Sequence, residues 1–303
     1  MDVKKTAKKI KSMEVRGAGN IARTAALALK TYAETSKAKT PKEFIKGLKE
    51  AGDILISARP SAVSLPNSVR FMLHQAEGPN LDVAELRELV VDTADKFIED
   101  SKTAIKRIGE IGSGRISDGD TILTHCNSQA ALSVIKTAFR QGKDVKVFAT
   151  EARPRYQGHI TVRELAKEGI PVTLIVDSAV RVFIKDIDKV IVGADSIAVN
   201  GAVVNKIGTS QLALIAHESR TLFFVAAESY KFHPETVLGE LIEIEERDAN
   251  EVADPRDFKG IKIRNPAFDV TPPEYVDLII TERGVMPPQA ALTLIRERFG
   301  WAL

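Results

Sequence analysis

The single cysteine of the chain, Cys126, stands in Thr124-His125-Cys126-Asn127-Ser128, after a short apolar run and before a helical pattern. A helix N-terminus favours a thiolate, which can act as base or nucleophile. The other reading of a lone thiol is a small buried hydrophobe, and position alone leaves both open. Asp195 follows the apolar run Val190-Ile191-Val192-Gly193-Ala194. A carboxyl there can be held protonated as a general acid, or it can cap a turn. Next comes Asn200-Gly201, a strong hairpin signal, leading to Asn205 and Lys206. Such a hairpin would deliver both side chains beside Asp195. His125 reads as a core or interface histidine, because neighbouring strand residues point to opposite faces.

Two further clusters follow apolar runs: Glu151-Ala152-Arg153-Pro154-Arg155-Tyr156-Gln157-Gly158 and Ala226-Ala227-Glu228-Ser229-Tyr230-Lys231. Near the N-terminus, Arg16-Gly17-Ala18-Gly19-Asn20 sets a cation and permissive glycines before a helix, where backbone amides can hold a phosphate. Arg59-Pro60 reads as a solvated arginine or a second anion contact. The segment 57–67 around it carries few charges, which suggests a buried or site-lining loop. Gly112-Ser113-Gly114 lacks the third glycine and precedes a strand, so it reads as a joint and not as a dinucleotide fingerprint.

The elements that must position these groups fall into two sets. The first third reads as helical throughout, with Ile21, Ala25, Leu29 and Tyr32 on one face and a long periodic stretch over 82–111. Thr40-Pro41-Lys42-Glu43 carries the signature of a helix start. After it, β-rich runs at 121–124, 145–150, 172–177, 189–192, 221–225 and 278–281 alternate with helical stretches. That alternation predicts a Rossmann-like, mostly parallel, doubly wound sheet in an α/β fold. The expected division is an N-terminal helical domain, 1–112, and a Rossmann-like catalytic domain, 113–303. In an open sheet of this kind ligands bind beyond the carboxyl ends of the strands, where the clusters above would converge.

Composition narrows the function. With 303 residues, Lys+Arg 43 against Asp+Glu 41 and a net charge of +2, the chain is too balanced for a nucleic-acid binder or a polybasic membrane anchor. One cysteine excludes an internal disulfide and a Cys-clustered zinc site, and the five histidines show no HExxH spacing. A cytoplasmic location, no membrane partner and no metal are the expectations.

Taken together and in order, these segments resemble the superfamily of aldose-1-phosphate isomerases and the regulatory subunits of translation initiation factor 2B. The matching runs are Arg16-Gly17-Ala18-Gly19, Arg59-Pro60-Ser61-Ala62-Val63, Thr124-His125-Cys126-Asn127, Glu151 through Gly158, Gly193-Ala194-Asp195 and Asn205-Lys206-Ile207-Gly208-Thr209. The catalytic members carry the Cys and Asp, both present here, whereas the regulatory subunits generally lack that pair. Within the superfamily the chain resembles the archaeal ribose-1,5-bisphosphate isomerases more than the methylthioribose-1-phosphate isomerases. The latter usually place an acid soon after the Asn-Gly turn, where Ala202 stands here.

The resemblance implies catalysis by Cys126 and Asp195. It implies substrate contacts from Arg16, Gly17, Ala18, Gly19, Arg59, Arg153, Gln157, Asn205, Lys206 and Lys231. It further implies a sugar-bisphosphate substrate in AMP and nucleotide salvage, no cofactor, activation by AMP, and a homo-oligomer, dimer or hexamer, with the apolar end 299–303 at an interface. The alternatives are a methylthioribose-1-phosphate isomerase and a non-catalytic regulatory subunit.

Overall fold

The computed structural model describes residues 2–15, 17–59, 63–77, 80–234, 236 and 244–299. Arg16, Pro60, Ser61, Ala62 and the end 300–303 lie outside the described residues. Two compact units divide the chain: Met1–Thr103 with Arg296–Leu303, and Ala104–Ile295.

The first unit is helical: α1 (Val3–Lys11), α2 (Ala18–Thr35), α3 (Pro41–Ile56), α4 (Ser64–Glu77) and the first two-thirds of α5 (Val83–Ser113). The start of α3 is a full capping box. Thr40 Oγ1 accepts from the Glu43 amide at 3.2 Å while Glu43 accepts from the Thr40 amide, with Pro41 at the first turn. Ile21, Ala25 and Leu29 of α2 meet Phe44 and Leu48 of α3, Val69 of α4 and Val90 of α5 in one core. The alanines along α2 keep its buried face low, so larger side chains from its neighbours fill the space. The expectation of a buried or site-lining loop over 57–67 is met in its burial but corrected in its second half, which is helix and not loop. Ser64, Leu65, Pro66 and Asn67 form the buried first turn of α4. That segment is poor in charge because it packs inward, and proline is tolerated in a first turn.

The second unit is an α/β sheet. Its strands are β1 (Thr121–Thr124), β2 (Lys146–Thr150), β3 (Val172–Ile175), β4 (Lys189–Val192), β5 (Ser196–Ile197), β6 (Val203–Lys206), β7 (Leu222–Ala226), β8 (Phe268–Thr271), β9 (Leu278–Thr281) and β10 (Gly284–Met286). Between and after them run α6 (Gln129–Arg140), α7 (Gly158–Lys167), α8 (Val180–Phe183), α9 (Thr209–Ser219) and the first half of α10 (Ala291–Phe299). Seven strands pair in the order β10-β9-β7-β4-β1-β2-β3, all parallel except β10. The doubly wound fold expected from the alternation is therefore the one present. The last turns of α5 pack on this sheet. Ile108 joins its core, and a side chain on Gly112 would strike Val134 and Ile280.

The chain winds outward from β1 in both directions, so the order reverses between β1 and β4, the place where ligands bind in such sheets. A small antiparallel sheet, β5-β6-β8, stands beyond the end of β4. The strands β8 and β10 had no clear signal in the sequence. Each is short and pairs antiparallel to a single neighbour, and β8 leaves Val270 exposed.

Opposite the ligand end, Lys189 Nζ meets Asp120 Oδ2 at 2.5 Å in the buried sheet, and Asp120 also accepts from the Ser117 amide. Removing one partner leaves the other charge buried alone. Lys189→Met is expected to destabilise the chain by about 3–5 kcal/mol in denaturant titration, and Lys189→Met with Asp120→Leu by much less. Equal losses in the single and double variants would contradict this. Among the described residues no helix is long and apolar enough to cross a membrane.

Candidate active site

The two residues singled out for chemistry sit on either side of the reversal point. Cys126 follows β1 and Asp195 follows β4, on adjacent strands. Cys126 adopts a left-handed backbone, φ 65°, which a non-glycine residue takes only where its surroundings impose it. Those surroundings are visible. The Thr161 hydroxyl donates to the Cys126 carbonyl at 2.7 Å, and Ser128 caps α6 by accepting from the Ala131 amide. Gly193 lets Ser128 approach, since a Cβ there would lie 2.6 Å from Ser128 Cβ.

The Asn200-Gly201 turn joins β5 to β6 as the spacing predicted, and Ser196 pairs with Val204. The Asp195 amide donates to the Val204 carbonyl at 2.9 Å, which sets Asp195 beside the segment bearing Asn205 and Lys206. Lys206 is buried. Its ammonium donates to the Ala267 carbonyl at 3.1 Å and lies 4.9 Å from the centre of the Phe268 ring. The Asn205 amide donates to Thr209 Oγ1 at 3.0 Å.

Cys126, Asp195 and Lys206 feel one another electrostatically. Burial pushes the Cys126 thiol up from its ordinary 9.0 to about 11, and Asp195 adds to the rise. Lys206, the Asn127 amide and Arg247 pull the other way without overcoming burial. Burial thus favours the protonated thiol, opposite in direction to the pull that a helix N-terminus exerts. Burial also lowers Lys206, Arg247 lowers it further, and Cys126 and Asp195 raise it.

Arg247 is the functional candidate that the motifs missed. It lies over the same phenylalanine, 5.7 Å from the Phe268 centroid, and bonds Glu245 at 3.1 Å. It lies in a stretch without regular structure, so no periodicity or strand end marked it.

Around this centre the loop after β2 carries Arg153 and Gln157. Asp177, at the end of β3, holds the loop by accepting from the Ala152 and Arg153 amides at 2.8 Å each. The exposed Arg153 guanidinium donates to Tyr156 Oη and to the Val252 carbonyl, and Arg155 pairs with Glu251 at 3.1 Å. Both arginines therefore tie this loop to the 249–252 segment. Gln157 precedes α7 with its side-chain oxygen buried and unpaired. After β7, buried Lys231 meets Glu228 at 2.8 Å, and Tyr230 Oη donates to the same carboxylate. Burial alone would raise Glu228, but Lys231 holds it below the usual carboxylate range.

His125 is the core residue expected. Its Nε2 lies 2.9 Å from the Ile207 carbonyl, which can only accept, so Nε2 carries the hydrogen and Nδ1 accepts from Thr150 Oγ1. Burial pushes its pKa down, which keeps the ring neutral.

The remaining candidates belong to the helical unit, apart from Arg16, which lies outside the described residues. Gly17 opens α2 with φ 81° and no side chain to cap it, followed by Ala18 and Gly19 in the first turn. Arg59 follows α3, half-buried, its amide donating to Ile56.

Comparison with known proteins agrees with this architecture. Ribose 1,5-bisphosphate isomerase of Methanocaldococcus jannaschii is 60% identical over 99% of this chain and 96% of its own length. The methylthioribose-1-phosphate isomerase of Geobacter metallireducens is 41% identical over 94% and 87%. The crystal structure of the Pyrococcus horikoshii OT3 translation initiation factor eIF-2B superposes with a TM-score of 0.81 at 35% identity, covering 96% of this chain and 98% of that one. The family model for the Initiation factor 2 subunit family matches residues 14–288. With that match spanning both units and full-length relatives at such identity, the chain belongs to the Initiation factor 2 subunit family.

Proposed function

We propose that this enzyme is a ribose-1,5-bisphosphate isomerase, converting α-D-ribose 1,5-bisphosphate to D-ribulose 1,5-bisphosphate. The observation that carries the reading is the 60% identity, over nearly the whole of both chains, to a protein of that name, against 41% to a methylthioribose-1-phosphate isomerase. The meeting of Cys126 and Asp195 at the reversal point supplies the chemistry it needs.

An aldose 1-phosphate cannot open to a free aldehyde, because its anomeric oxygen carries the phosphate. The bond between C1 and the ring oxygen must break while that phosphate stays attached. In the proposed path Asp195 gives a proton to the ring oxygen as this bond breaks, and Cys126 takes the proton from C2, leaving an enol phosphate. Cys126 then returns its proton to C1, and the C2 hydroxyl proton goes back to Asp195 as the ketone forms. Atoms and charges balance, and the pair ends as it began. The step uses one proton held between two groups. Burial favours the protonated thiol, so the thiol must pass a proton on before it can act as a base, and Lys206 and Arg247 favour the thiolate this leaves. Lys206, Asn205, Gln157, Arg153 and Lys231 are the proposed contacts to the sugar and its phosphates, and the resemblance adds Arg16, Gly17–Gly19 and Arg59 as proposed substrate contacts.

The same reading places the enzyme in AMP and nucleotide salvage as a cytoplasmic homo-oligomer, dimer or hexamer, activated by AMP. The decisive assay offers purified protein ribose 1,5-bisphosphate and methylthioribose 1-phosphate, with and without AMP. The expected outcome is a kcat/KM about 10²-fold or more in favour of the bisphosphate, since a site built for a charged group rejects an analogue lacking it. Equal or reversed values would overturn the substrate assignment. The likeness to a solved initiation factor keeps one other reading in view, a regulatory subunit. Stable capture of initiation factor 2 without turnover of either sugar would establish that reading instead.

A further inference from the structure

Asp269 reaches from β8 to the turn between β6 and α9. It stands opposite Asn205 in the register, and its carboxylate accepts from the Gly208 amide at 2.7 Å and from the Ser210 amide at 3.1 Å. Gly208 is the residue before α9, left-handed at φ 103° and without a side chain, so the cap for this helix comes from another strand. On the other side of the turn, His125 donates to the Ile207 carbonyl. A side chain on Gly208 would come within 3.1 Å of that imidazole. The turn gripped this way carries Lys206 and Asn205. The carbonyl and ring that seat the Lys206 ammonium belong to Ala267 and Phe268, immediately before Asp269 in the chain.

We propose that Asp269 is a positioning residue of the isomerase: its carboxylate fixes the 206–210 turn, and so the placement of Lys206 beside Cys126, and its protonation sets the acid limit of activity. This rests on the isomerase reading above. Burial raises Asp269 from 3.8 to about 6, while the Gly208 and Ser210 amides and Lys206 pull it back. A carboxyl with a raised pKa contributes stability that is present below its unfolded pKa and lost as pH rises through the folded one. Ionisation here therefore works against the fold between 3.8 and about 6, and the gain must lie in what the carboxylate holds. A protonated carboxyl has one acceptor fewer for two amides that can only donate. The charged group that acts on it is Lys206 from β6, while Arg247 stands over the neighbouring Phe268, Glu245 bonds the Ala267 amide through its carbonyl, and His125 lies against Gly208.

The test is kcat/KM from pH 4.5 to 8 for the wild type and Asp269→Asn, with the amide proton shifts of Gly208 and Ser210 followed by NMR in the wild type. Wild-type kcat/KM should fall about tenfold per unit below pH 6. Asp269→Asn, which offers an NH2 group to one amide donor, should show a plateau lowered about tenfold or more and no limb near 6. The two amide shifts should titrate together with a midpoint near 6 whether or not the sugar is turned over. An unchanged acid limb in Asp269→Asn would assign it to another group such as His125 and overturn the proposal. Flat amide shifts would overturn it too, even if the variant fails to fold. Absence of turnover in the wild type, with the amides titrating, would instead count against the isomerase reading.

Discussion

Cys126→Ser is expected to lower kcat for ribose 1,5-bisphosphate by about 10²–10⁴-fold, the range for loss of one member of an acid–base pair. The hydroxyl is close to the thiol in size but holds its proton far more tightly, so it cannot take the C2 proton. Cys126 is half-buried, and its backbone is held by Thr161 and by the Ser128 cap, so the melting temperature should move little. The wild-type pH profile offers a second check. With the thiol pushed up to about 11, its proton survives well past the ordinary 9.0. Activity should stay level through pH 9.5 and decline only towards 11. A decline centred on 9 would show that the thiol is not the group in this environment, and wild-type rates in Cys126→Ser would end its catalytic assignment.

Asp195→Asn should bring a fall in kcat of similar size, about 10²–10⁴-fold, because an amide cannot donate a proton to the ring oxygen as the C1 bond breaks. The change keeps the shape and the Asp195 amide bond to Val204, so the β5–β6 hairpin should remain. It also removes a negative neighbour that raises the thiol, so a thiol titration in Asp195→Asn should move to lower pH than in the wild type. That shift reads out proximity independently of rate. Because the two groups act as a unit, Cys126→Ser with Asp195→Asn should cost little more than either alone. Multiplying losses, or an unmoved thiol, would mean that the two do not share one proton economy.

The gly-rich and apolar punctuation of the chain made much of this legible. The runs 121–124, 189–192 and 278–281 are strands at those bounds, Thr40 and Glu43 cap α3, and Asn200-Gly201 turns the hairpin that brings Lys206 to Asp195. These features are local: alternation, capping and turn chemistry depend on residues a few positions apart. The strands β8 and β10 were not legible, because each depends on a single antiparallel neighbour. Arg247 and Asp269 were missed for a related reason. One lies in irregular chain, and the other caps a helix that begins 60 residues before it in the sequence.

The amino-acid sequence by itself determined the alternating fold, the presence of one thiol and one strand-end acid, and the family resemblance their motifs carry. Only the tertiary structure decided the state of that thiol. Helix polarity at Ser128-Gln129 is a local property and argued for a thiolate, whereas the burial that holds the proton on Cys126 arises from segments distant in the chain. It likewise decided that Lys206 is seated by β8 and that its turn is clamped by Asp269 and His125. Desolvation and long-range pairing depend on what surrounds a residue in space, and no spacing along the chain encodes them directly.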